Sequence, residues 1–131
     1  MLQVEILGSH GVPGLAVGRV HRLCALAAAS AGVQEGHLAV TFVDEREIAE
    51  LNRRHRGRPE PTDVLSFPVD ADADPAGPRE LGDVVICPGH TADVGEAIVH
   101  GVLHLVGMDH ESDDGEMLAL QRELLAWERE R

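Results

Sequence analysis

His100-Gly101-Val102-Leu103-His104-Leu105-Val106-Gly107-Met108-Asp109-His110 gathers three of the chain's eight histidines into an otherwise apolar run. Helical spacing puts His100 and His104 on one face, with Cβ atoms roughly 5–6 Å apart. Were the helix to continue, His110 would lie about 240° around from His104 and point elsewhere. Gly107 allows a left-handed C-terminal cap that turns the chain back, so that His110 can face the first two. Three imidazoles then converge and leave a fourth tetrahedral position open, which is the arrangement of a catalytic rather than a structural zinc site. An i, i+4 pair of histidines by itself is more often two hydrogen-bonded core side chains than a metal site, because histidine has several uses. The third histidine shifts the balance. Three rings among Ile, Val and Leu would cost several kcal/mol of desolvation without a shared partner, and a metal ion is such a partner.

The helix over about 96–106 is apolar almost all round (Ile98, Val99, Val102, Leu103, Leu105, Val106), which predicts a central, buried element. Downstream, Ser112 is the expected N-cap of a last helix with Asp113, Asp114 and Glu116 in its first turn, where the dipole favours anions. Met117, Leu118, Leu120, Leu124, Leu125 and Trp127 are its expected core side. Upstream, 81–87 reads as a strand ended by Pro88-Gly89, and 70–80 as a solvated loop with four acidic residues and two prolines. Residues 62–69 read as a strand that Pro68 confines to an edge or a bulge. Asp44 and Glu47 have capping-box spacing before a helix that carries Ile48 and Leu51 inward and ends near His55. Residues 37–43 are β-rich. The Ala-rich stretch 15–31, stopped by Gly32, reads as a helix with Val20, Leu23, Cys24, Ala27 and Ala28 inward, and 2–7 alternate like a strand. The order β-α-β-α-β-β-α-α predicts an α+β fold, a mixed sheet of about four strands packed with about four helices around the histidine helix.

At 131 residues the chain is expected to form one domain spanning 1–131. No apolar run approaches the roughly 20 residues that span a bilayer, and the N-terminus lacks a basic-then-apolar signal. Cys24 and Cys87 belong to no CxxC pair and read as buried thiols in a reducing compartment, so the expected location is cytoplasmic. The net charge of −12, from 11 basic and 23 acidic residues, argues against a general nucleic-acid coat, whose affinity comes from phosphate neutralisation. A local basic cleft remains compatible with it. Aromatic content of 2% leaves few base-stacking platforms. Arg53, Arg54, Arg56 and Arg58 are four of the eleven basic residues; most of them read as helix-end cations that complement the macrodipole.

The spacing His-x3-His-x2-Gly-x2-His matches the zinc-ligand frame of metzincin peptidases. Gly101 stands where those enzymes carry the glutamate that acts as general base, so a zinc peptidase is the lesser alternative.

The same eleven residues resemble the hallmark of the YbeY family of bacterial endoribonucleases, His-Gly-x-Leu-His-Leu-x-Gly-x-Asp-His, at every fixed position. Leu51-Asn52 through Arg56, Pro61-Thr62-Asp63-Val64-Leu65-Ser66-Phe67-Pro68 and Leu81-Gly82-Asp83-Val84-Val85-Ile86-Cys87 extend the likeness over most of the chain from about residue 40. The resemblance implies a zinc-dependent endonuclease for single-stranded RNA that acts in ribosomal RNA processing, especially at the end of the small-subunit RNA, and in ribosome quality control. Its implied partners are RNA and the ribosome or a ribosomal protein. By position, His100, His104 and His110 match the ligands of one zinc ion, and Arg56 matches an arginine essential for activity. Arg53, Arg54 and Arg58 are implied phosphate-positioning neighbours. Asp109 either orients a ligand histidine, assists proton transfer, or satisfies backbone donors after Gly107. Zinc lowers the pKa of water to about 7, and a fixed guanidinium stabilises growing phosphate charge with paired donors. Water and the neighbouring 2′-hydroxyl both remain open as nucleophile. A ribosome-associated zinc protein without significant catalysis is the other alternative. The chain departs from the family pattern at His55 and Met108, where tyrosine is common, and at Pro59, where aspartate is frequent. The segment from Cys87 to His100 is also shorter than usual by several helical turns, so a helix flanking the cleft is expected to be missing and its rim open.

Overall fold

The computed structural model describes residues 1–9, 12–69 and 79–130. Strand β1 (Leu2–Leu7) half-buries alternate residues, Leu2, Val4 and Ile6, as expected of a strand with one covered face. It leads into α1 (Val17–Ser30), whose inward face is Val20, Leu23, Cys24, Ala27 and Ala28. β2 (Gly36–Phe42) then lies parallel to β1. α2 (Glu45–Arg56) begins at Asp44, whose carboxylate accepts the Glu47 N–H at 2.8 Å, and stops at Gly57 in the left-handed conformation. β3 (Val64–Pro68) follows, then β4 (Glu80–Ile86), a three-residue 3-10 turn at Pro88–His90, α3 (Val94–Leu105) and α4 (Glu116–Arg129).

The sheet order is β1-β2-β4-β3, with β2 and β4 parallel and β3 antiparallel on the outer edge. This is the α+β arrangement of four strands and four helices that the patterning predicts. Pro68 ends the edge strand, where a missing N–H costs no ladder bond. The expected loop at 70–80 falls almost wholly on 70–78, outside the described residues.

Residues of α1, α3 and α4 form one core with Leu38 and Val40 of β2 and Val84 and Ile86 of β4. Ile48 of α2 packs with Leu65, Val85 and Cys87 as a second cluster, joined by Leu51 and Phe67. Alternation along β3 and β4 separates the two: Leu65 and Val85 pair in register and serve α2, whereas Ser66 and Val84 pair one step on and serve α3.

α3 is buried on nearly every side. It lies tight against the sheet at Gly101, where a Cβ would run into Val84 Cγ1 and come within 3.0 Å of Cγ2. The glycine is therefore a packing requirement of the histidine helix.

Two expectations for the last helix are corrected. Ser112 does not cap it; the N-cap residue is Gly115 at φ 101°, and the carboxylate of Asp113, two residues earlier, accepts the N–H of Met117 at 2.9 Å and of Gly115 at 2.8 Å. Leu118 and Trp127 are exposed, and the buried stripe runs through Met117, Gln121, Leu125 and Glu128. Glu128 is tolerated there because Arg19 Nη2 lies 3.1 Å from its carboxylate and Arg22 Nη2 3.6 Å away. The Arg19 hydrogen bond holds this carboxyl below its usual pKa and ties α4 to α1.

Candidate metal centre

His100 and His104 project one turn apart from α3, with ring centroids 4.8 Å from each other. After Val106 the chain reverses at Gly107, whose φ of 102° is a conformation that side-chain-bearing residues avoid. The Met108 N–H closes the turn onto Leu103 O at 3.0 Å. His110 is thereby carried back to ring-centroid distances of 5.0 Å from His100 and 5.2 Å from His104. One nitrogen from each ring lies within 4.8 Å of the others, and all three residues are half-buried.

The outer contacts of the rings decide which nitrogens remain available. His104 Nδ1–H donates to Met108 O at 2.9 Å, and His100 Nδ1–H donates to Gln121 Oε1 at 2.8 Å. Both acceptors are carbonyl oxygens, so each Nδ1 carries the proton and each Nε2 keeps its lone pair. Burial, and then the neighbouring His100, hold His104 below its ordinary pKa, in the neutral form that binds a cation. His110 Nδ1 is buried without a protein hydrogen-bond partner, a cost that a bound ion or water removes. Three imidazoles with two fixed tautomers and one unmet nitrogen fit a first-row metal ion.

The triad opens on a cleft of about 600 Å³ that is also lined by His55, Arg56, Thr62, Ser66, Phe67 and Glu111. Arg56 is the last residue of α2. The loop after it is pinned by Asn52, whose Nδ2 donates to Glu60 O at 2.9 Å. Arg56 is the one arginine among the described residues lining this cleft. Arg53 and Arg54 are drawn back to Glu50, at 2.6 Å and 3.1 Å, and the Arg53 hydrogen bond pulls the Glu50 pKa down to about 2. Arg58 is exposed and does not line the cleft. His55 packs its ring against Phe67, centroids 4.7 Å apart.

Asp109 is exposed, and its carboxylate accepts the Glu111 N–H at 3.0 Å. That bond is the main cause of its lowered pKa. The Gly101 carbonyl takes a hydrogen bond from Ser66 Oγ at 3.1 Å, and its Cα faces the sheet, so a peptidase-like glutamate has no room at this position. Sequence reasoning missed Gln121. Its signal was a polar residue between Met117 and Leu125 on the apolar stripe of α4.

The fold and site together define an α+β protein with three converging histidines that could hold a metal ion, lining a cleft. The family model described as endoribonuclease YbeY matches residues 17–127. The chain is similar to an endoribonuclease YbeY of Acidothermus cellulolyticus, 47% identical over 118 residues that cover 72% of each chain. It is also 39% identical to that of Bacillus cytotoxicus, covering 83% of this chain and 84% of the relative. A solution structure of a Thermotoga maritima protein superposes with a TM-score of 0.57 at 28% identity, covering 94% of this chain and 87% of that one. The chain belongs to the endoribonuclease YbeY family. Among the described residues, no helix is long and apolar enough to cross a membrane.

Proposed function

We propose that residues 1–131 form one endoribonuclease domain that cleaves single-stranded RNA with a zinc ion held by His100, His104 and His110. Its proposed task is ribosomal RNA maturation at the end of the small-subunit RNA, together with ribosome quality control. Its partners are then precursor RNA and the ribosome or a ribosomal protein, and its place is the cytoplasm. The observation that carries this reading is the shared cleft, with three converging histidines and Arg56 on its walls.

A zinc ion held by these histidines would supply Lewis acidity and make a nucleophile available near neutral pH. The chain's own groups do the rest. His100 and His104 present Nε2 because their outer nitrogens are already engaged. The Arg56 guanidinium offers paired donors to the non-bridging oxygens of a phosphodiester and to the charge that grows on them in the transition state. Arg58, exposed and outside the cleft lining, is proposed to meet a neighbouring phosphate, whereas Arg53 and Arg54 must first leave Glu50 to do so. Asp109 supports His110 by holding the Glu111 N–H in the intervening turn; proton transfer is the role its geometry supports less.

The test is cleavage of single-stranded and duplex RNA by the zinc-loaded protein, with metal content measured on the same samples. Wild type is expected to carry one zinc and to cut the single strand. His104→Ala is expected to lose both metal and cleavage, and Arg56→Ala to keep the metal and lose cleavage. Metal-loaded wild type that cuts nothing would instead favour a zinc-stabilised binding protein, and the fold should then collapse on chelation.

A further inference from the structure

The three histidines differ in what holds their outer sides. His104 is fixed by a main-chain carbonyl four residues along its own turn. His100 is fixed by a side chain from another helix, Gln121 of α4, 21 residues away. Gln121 is only 6% exposed and sits on the stripe between Met117 (0%) and Leu125 (5%). An amide at such a position forfeits apolar burial and demands a hydrogen-bond partner. Among the described residues, its side-chain oxygen has that partner in His100 Nδ1.

We infer that Gln121 is a positioning residue for the metal centre: its Oε1 sets His100 in the Nδ1–H tautomer and aims Nε2 at the shared site. With its proton on Nε2 the ring would keep its lone pair on Nδ1, which faces Gln121 and not the shared site, and a ring free to rotate must be ordered before it can ligate. The contact also makes the docking of α4 on α3 a condition for full metal affinity, since no residue near His100 in sequence replaces the acceptor. The inference rests on the reading of the triad as a metal centre.

The experiment compares wild type, Gln121→Leu and Gln121→Glu as full-length protein. Leu matches the volume without an acceptor, and Glu restores the acceptor. Zinc affinity is measured by competition with a chromophoric chelator, and the His100 tautomer by ¹⁵N NMR of the metal-free protein. Wild type is expected to show His100 with its proton on Nδ1. Gln121→Leu should lose that preference and bind zinc about 10- to 100-fold more weakly, while Gln121→Glu should bind at least as tightly as wild type. An Nε2–H ring in wild type, unchanged zinc affinity in Gln121→Leu, or failure of Gln121→Glu to restore it would each overturn the assignment. Should Gln121→Leu not fold, the wild-type tautomer and the Gln121→Glu affinity decide alone. If wild type binds no zinc, the metal reading fails, and the tautomer still reports whether Gln121 governs His100.

Discussion

Ser66 Oγ donates to the Gly101 carbonyl at 3.1 Å, joining the edge strand β3 to the turn of α3 that lies between two of the triad's histidines. Directly beneath that bond, the side chain of Val84 fills the space a Cβ would need. Gly101→Ala is therefore expected to lift α3 from the sheet. Overpacking of this kind costs about 1–3 kcal/mol, which outweighs the helix-propensity gain of up to about 1 kcal/mol. Denaturant titration should show the loss, together with weaker metal binding. A variant as stable as wild type would mean that Val84 moves aside freely.

Arg56→Lys separates charge from geometry. Lysine keeps the cation and loses the planar fork that engages two phosphate oxygens at once. Cleavage is expected to stay close to the level of Arg56→Ala, with zinc content unchanged; recovery to near wild-type rate would reduce the role of Arg56 to charge alone.

Salt dependence should be shallow. The chain carries −12 net charge, and Glu50 engages two of the four clustered arginines, offsetting one of their charges. With one or two phosphates engaged, the slope of log affinity against log salt for a single strand is expected near −0.7 to −1.4. A slope several times steeper would require a second basic surface. Glu50→Gln should steepen it slightly by freeing Arg53 and Arg54.

Asp109→Asn should leave the turn intact, because an amide oxygen can still accept the Glu111 N–H. Asp109→Ala removes that acceptor and is expected to loosen His110 and weaken metal binding. If Asp109→Asn abolishes cleavage while zinc content stays normal, the carboxylate moves a proton and is not merely a turn residue.

Burial pushes the Cys24 thiol from 9.0 up to about 12. The group is neutral in the folded state and ionises more easily once unfolded, so its stabilising effect is present below pH 9 and is lost as pH rises toward 12. Both cysteines are buried. A thiol reagent at neutral pH is expected to modify neither in the native protein and both after denaturation.

The histidine segment, the strands and the core sides of α1 and α2 were legible because local period alone places them. Asp44 and Gly57 bracket α2 where capping chemistry says they should. The start of α4 was not legible: Ser112, Asp113 and Asp114 are all competent caps by type, yet the N-cap residue is Gly115, with the Asp113 carboxylate accepting the Met117 N–H. Trp127 belongs with the apolar residues expected on the core side, yet the stripe set by Met117, Gln121 and Leu125 rotates it outward. Gln121 escaped notice because its partner is 21 residues away. The retreat of Arg53 and Arg54 was written in the i, i+3 and i, i+4 spacing from Glu50, whereas the entry of Arg56 into the cleft depends on how the helix meets β3.

All three histidines come from the end of one helix and the turn behind it. Bringing them together closes loops of only a few residues, for which the loss of chain freedom is small. Most of the molecule's cohesion is therefore assembled without the centre, by α1, α3, α4 and the sheet. Zinc removal is expected to release the turn from Gly107 to His110 while leaving the sheet and its helices folded. On the proposed zinc reading, the protein would lose and regain its ion without being remade, and a shortage of zinc would lower its activity before it lowered its abundance.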